Sequence, residues 1–107
     1  MNVDVEFDDA SVSIDIPSEL LHEAQDYFDK LDSDMDRGWQ MSRWWVPNLD
    51  AVQRCQVVAD KLLTAIQDSN EQYASLLCAY ILSKLPATHR ILINTKGQIQ
   101  GNEFLPG

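Results

Sequence analysis

Met1-Asn-Val-Asp-Val-Glu-Phe-Asp-Asp-Ala-Ser-Val-Ser-Ile-Asp-Ile-Pro17 is the stretch from which the fold class is read. Val3, Val5 and Phe7 alternate with Asp4 and Glu6; Val12, Ile14 and Ile16 alternate with Ser13 and Asp15. Period two on both sides of Asp8-Asp9-Ala10-Ser11 predicts an N-terminal hairpin with one apolar and one acidic face. At Pro17 the period changes. Leu20, Ala24, Tyr27, Phe28 and Leu31 recur at three- and four-residue spacing, a single helical stripe that needs a partner surface, with Glu19 placed where the dipole favours an acid.

Pro47 and Asn48 then punctuate the chain, and Asn48 has the chemistry of an N-cap for a helix from about Leu49 to Asp68. Val52, Cys55, Ala59, Leu62 and Ile66 give that helix a packing seam. Ser69 and Gln72 have the form of a capping box for a further helix that Pro86 stops. From Tyr73 to Leu85 this last helix has almost no polar face, so it is either central in the core or covered by another subunit. Arg90–Asn94 and Gln98–Gln100, joined through Thr95-Lys96-Gly97, read as a closing hairpin. The expectation is an α+β fold of order β-β-α-α-α-β-β, three helices flanked by N-terminal and C-terminal β-hairpins in a single domain, 1–107.

Composition narrows the functions. The net charge of −9 is concentrated in residues 1–53, where three Lys/Arg face thirteen Asp/Glu; residues 54–107 carry +1. Phosphate neutralisation needs a basic stripe, and Lys84, His89, Arg90 and Lys96 are too few, so nucleic acid is excluded as a partner. Residues 1–9 are acidic, and no apolar run reaches the length of a membrane span, so the expected setting is cytoplasmic with no membrane partner. There Cys55 and Cys78 stay thiols and pack as small apolar groups.

The densest chemistry lies in Asp32-Ser-Asp-Met-Asp-Arg-Gly-Trp-Gln-Met-Ser-Arg-Trp-Trp45. Asp32, Asp34 and Asp36 occupy positions one, three and five of a calcium loop, but Arg37 stands where the turn glycine belongs and Arg43 where the bidentate acid belongs. That rejects an EF-hand and leaves an irregular Mg²⁺ or Ca²⁺ site as one reading. The other is charge pairing: Asp26, Asp29 and Asp32 crowd a helix end that disfavours negative charge, with Lys30, Arg37 and Arg43 close by in sequence. Trp39, Trp44 and Trp45 divide in the same way. Either the rings clamp this connection onto the helices with Arg37 or Arg43 stacked on them, or Trp39, Arg43, Trp44 and Trp45 form a partner-binding edge. Adjacent Trp44 and Trp45 cannot both face the core of a regular element, which leaves one ring toward solvent.

Glu19-x-x-His22 echoes half of a di-iron bundle motif, but the second half is absent and the stripe with Asp26 and Asp29 reads as a wet face. His89 stands alone before a strand. No nucleophile elbow, phosphate loop or Cys-x-x-Cys pair is present, so no enzyme class is indicated. The run Met35–Arg43, with Arg54-Cys55-Gln56 and the Leu85-Pro86 helix stop, resembles a family of small uncharacterised bacterial proteins. The resemblance covers the middle and C-terminal parts of the chain and implies no activity, cofactor or site residue. The combined expectation is a small acidic protein-binding or assembly module that forms a homodimer. Cation binding through Asp32, Asp34 and Asp36 is the alternative, and an unrecognised enzyme comes third.

Overall fold

In the computed structural model, which describes residues 1–106, the two alternating segments form β1 (Asn2–Phe7) and β2 (Ala10–Asp15), paired antiparallel from Asn2↔Asp15 to Phe7↔Ala10. The turn closes through Asp8 at φ +52°, a left-handed position that aspartate tolerates. Val3, Val5, Ile14 and Ile16 are buried on one face, as period two requires.

The first predicted helix is broken. α1 (Leu20–Glu23) ends at Ala24, and α2 (Gln25–Met35) starts afresh, so Glu19 and His22 do not share a straight stripe with Asp26 and Asp29. His22 is exposed, and so is His89. α2 also runs further than its acids suggest. Phe28, Leu31 and Met35 are buried at three- and four-residue spacing, and this packing holds the helix through residues that, taken alone, favour a loop.

After α2 the chain forms a hairpin where none was expected: β3 (Trp39–Met41) pairs with β4 (Trp44–Val46). α3 (Ala51–Gln67) follows. Its cap is Asp50, two residues past Asn48: the Gln53 amide donates to Asp50 Oδ1 at 2.8 Å, and the Asp50 amide donates to Gln53 Oε1 at 2.9 Å. α4 (Glu71–Lys84) is capped by Asn70, whose Oδ1 accepts from the Tyr73 amide at 3.2 Å. Ser69 is instead the left-handed residue of the tight α3–α4 turn, at φ +58°, so the expected Ser69–Gln72 box does not form.

α4 resolves the question raised by its composition. Ala74, Leu77, Cys78, Ala79, Tyr80, Ile81 and Leu82 are all buried within this one chain, packed against α3, α1 and β2. The helix is central and not under-covered, so its apolarity needs no second subunit. Each large side chain buried there is worth about 1.5–3 kcal/mol.

β5 (Thr88–Leu92) pairs parallel with β1 and antiparallel with β6 (Glu103–Pro106), which gives a four-stranded mixed sheet of order β2-β1-β5-β6. The closing strand is therefore 103–106, not 98–100. Asn94 Oδ1 accepts from the Lys96 amide at 2.8 Å and so tightens the connection; Ile99–Gly101 then forms one 3-10 turn. Asn102, itself buried, accepts from the Asn94 amide at 2.8 Å and donates to the Gln56 carbonyl at 2.9 Å, which starts β6 beside α3. Pro106 is tolerated because β6 is an edge strand. The α+β class holds, with the middle hairpin and the helix break added to the expected order. No described helix is long and apolar enough to cross a membrane.

Candidate functional site

The acidic half of the Asp–Trp segment is helix, not loop. On a helix, residues two apart point nearly opposite ways, so Asp32 turns inward and Asp34 is left in water; Asp36, four residues after Asp32, comes back to the same side. Asp32 Oδ1 accepts from Arg54 Nη1 at 3.0 Å and Tyr80 Oη at 2.6 Å, and Oδ2 accepts from Lys84 Nζ at 2.8 Å. Arg54 Nη2 reaches Asp36 Oδ1 at 2.9 Å, and Nη1 and Nε also donate to the carbonyls of Asp32 and Leu49.

The cation that neutralises this helix end is thus a guanidinium from α3 together with an ammonium from α4. Neither Lys30 nor the two arginines nearest in sequence does it. Asp32, Asp34 and Asp36, the residues of the expected irregular Mg²⁺ or Ca²⁺ loop, do not converge in this arrangement, and the two that share a side share Arg54. No cluster of three His, Cys, Asp or Glu suited to a metal occurs among the described residues.

Burial alone would raise the Asp32 pKa, but the hydrogen bonds from Lys84, Tyr80 and Arg54 outweigh it and hold this carboxyl below its ordinary value. Burial, and then the bond to Asp32, pushes the Tyr80 hydroxyl up, so it stays a donor. Lys84 Nζ also lies 5.5 Å from the Tyr80 ring centroid. Burial pushes both Cys55 and Cys78 up to about 12, which leaves neither as a thiolate nucleophile at neutral pH.

The aromatic half behaves differently. Gly38, at φ +95°, starts the hairpin; a Cβ there would meet the Val46 carbonyl oxygen at 2.6 Å and Pro47 Cα at 2.9 Å, so only glycine lets the strands close. Ser42, at φ +57°, turns the tip. Its Oγ donates to Gln100 Oε1 at 2.8 Å and accepts from the Ile99 amide at 3.0 Å, while Gln100 Nε2 donates to the Met41 carbonyl at 2.9 Å. The tip is therefore fastened to the segment that precedes β6.

Met41 is buried and Trp39 half-buried, with Lys61 Nζ 5.1 Å from the Trp39 ring centroid in the place expected for an arginine. Arg37 and Arg43 are exposed. The register sets Trp44 opposite Met41 and Trp45 opposite Gln40, so the two rings lie on opposite faces of the hairpin. Both remain open to solvent, Trp44 at 71% and Trp45 at 59%, where one exposed ring was expected. Of the four residues that the sequence singled out, Trp39 packs against the core as a clamp, and Arg43, Trp44 and Trp45 are exposed. The three partners of Asp32 were not foreseen. Tyr80 carried a signal, because a phenol within an otherwise apolar helix must find an acceptor.

An open concavity of about 720 Å³ lies between α3, the end of α4 and β6; Val52, Phe104 and Leu105 line it, with Gln56 and Lys84 among its polar groups. No known family model, curated protein or solved structure matches this chain.

Proposed function

We propose that the chain is a protein-binding module that self-associates, with the Trp44–Trp45 hairpin and Arg43 as its contact surface. The observation that carries this reading is the exposure of two adjacent tryptophans, 71% and 59%, on a hairpin whose base and tip are held by Gly38 and by Ser42–Gln100 bonding. Fixed aromatic rings lose little entropy on contact, and tryptophan and arginine are the residues most often found to dominate binding energy. The same molecule also offers a complement. Arg43 is one of three basic residues in an N-terminal half holding thirteen acids, so a second copy presents the opposite charge to it.

Sedimentation velocity over a wide concentration range tests this in the wild type and in Trp44→Ser/Trp45→Ser. The expected result is a concentration-dependent dimer that the double variant loses while keeping its circular dichroism. A wild-type monomer at every concentration would remove self-association, and a dimer that survives the double substitution would remove the hairpin as its surface.

A further inference from the structure

A second open surface, separate from the hairpin, lies along one edge of the main sheet. β2 is the terminal strand of the order β2-β1-β5-β6. The Ile16 amide donates to the Met1 carbonyl at 2.7 Å, and the register pairs Ile14 with Val3 and Val12 with Val5. These even-numbered residues therefore bond inward to β1, and the backbone N–H and C=O groups of Ser11 and Ser13 point outward along a free edge. The next outward carbonyl, that of Asp15, is already taken by Ser75 Oγ at 2.8 Å, which ends the open stretch.

Beside this edge lie two adjoining open cavities of about 680 and 240 Å³, both lined by Val12, Ile14 and Glu71, one reaching Leu20 and Asp15 and the other Ile66. Together they form an apolar trough with acidic rims, and no Lys, Arg or His lines either part.

We infer that the β2 edge receives an extended peptide segment of alternating apolar residues flanked by basic ones, added as a fifth strand of the sheet. Main-chain bonds to Ser11 and Ser13 would hold it, alternate apolar side chains would enter the trough over Val12, and its flanking cations, beyond the paired residues and so free of the strand's alternation, would meet Asp15 and Glu71 at the rims. Charge favours this occupant over a second copy, because the trough carries Asp15 and Glu71 and residues 8–15 of a second copy would bring further acids and no base. In the antiparallel β2–β2 register that pairs Ser11 with Ser13 of the second copy, Asp9 falls opposite Asp15, and like charges directly opposed destabilise a strand pair. Asp15, which opposes self-pairing in that register, is also one of the acids that attract a cationic strand.

The test uses the full chain, ¹⁵N-labelled, and a capped peptide Lys-Val-Thr-Val-Thr-Val-Lys, with a version carrying Glu for Lys and one N-methylated at the amides that would face β2. Shifts centred on Ser11–Asp15 and slowed amide exchange at Ser11 and Ser13 are expected. Affinity should fall about ten-fold for the Glu peptide, for the N-methylated peptide, and for Asp15→Asn with Glu71→Gln. Those two positions are exposed, and the peptide comparison needs no variant, so loss of fold cannot imitate the result. Shifts spread over the whole acidic surface, indifference to N-methylation, absence of binding, or self-pairing of β2 would each overturn the proposal.

Discussion

Residues 32–36 and 39–46 adjoin in the chain, yet their side chains end in opposite surroundings. The acids, which read as ligands reaching for a cation outside the chain, include the most thoroughly partnered carboxylate among the described residues, with Arg54, Tyr80 and Lys84 on its two oxygens. The tryptophans, which read in part as core, leave two rings in water. Residue type sets what a side chain costs to bury; the partners that the fold delivers decide whether that cost is met. Two helices bring three donors to Asp32, whereas the hairpin sets Met41 into the core with Trp39 and Val46 packed beside it and leaves the Trp44 and Trp45 rings to solvent.

Breaking the acid hub is the largest test of this contrast. Asp32→Ala leaves Arg54 and Lys84 largely shielded from water and without a shared carboxylate, and leaves the Tyr80 hydroxyl without its acceptor. A loss of about 2–4 kcal/mol is expected from urea unfolding, with Asp32→Asn costing less. The same hub predicts an acid limb. The folded pKa of Asp32 lies below the ordinary value of 3.8, so its contribution is complete above that value and is lost as the pH falls toward the lower, folded one. Unfolding followed against pH should show this limb in the wild type and a flatter one in Asp32→Asn; equal limbs would mean the cluster is too solvated to matter.

Next in size is the base of the hairpin. Gly38→Ala forces a Cβ into the Val46 carbonyl at a positive φ, with an expected cost of about 1–3 kcal/mol in thermal unfolding and a change in tryptophan emission. Smallest is the presented ring itself. Trp44→Ser should alter stability by no more than about 0.5 kcal/mol, as for a surface position. A loss several times larger would turn Trp44 into a clamp and erase the distinction between the two regions.

Much of the fold was legible where one physical signal acted alone. Alternation placed Val3, Val5, Ile14 and Ile16 on the buried face, and the apolar run of α4 announced a helix with nowhere to face but the core. Legibility failed where a local preference was overridden from a distance. The acids at 32–36 look like loop because the contacts that keep them helical belong to Phe28, Leu31 and Met35, and their counter-charges lie 22 and 52 residues away. Gln98-Ile-Gln100 has strand alternation, but the side-chain bonds of Asn94 and Asn102 turn it into a 3-10 connection and move the strand to 103–106. For the candidate site, adjacency alone put one of Trp44 and Trp45 in solvent; that both are there could not be read, because exposure depends on how far a three-residue strand projects from the body.

The parallel pairing of β1 with β5 imposes an order on assembly. Val5 lies beside Ile91 in the middle of the sheet, so β1 finds its central neighbour only after every residue between the two strands has been synthesised. Until then the β1–β2 hairpin has one flank bare and its apolar face unfilled, and closing so long a loop is slow. The acids that alternate along that hairpin thus act before the native state exists, as charges that keep nascent chains apart during the wait.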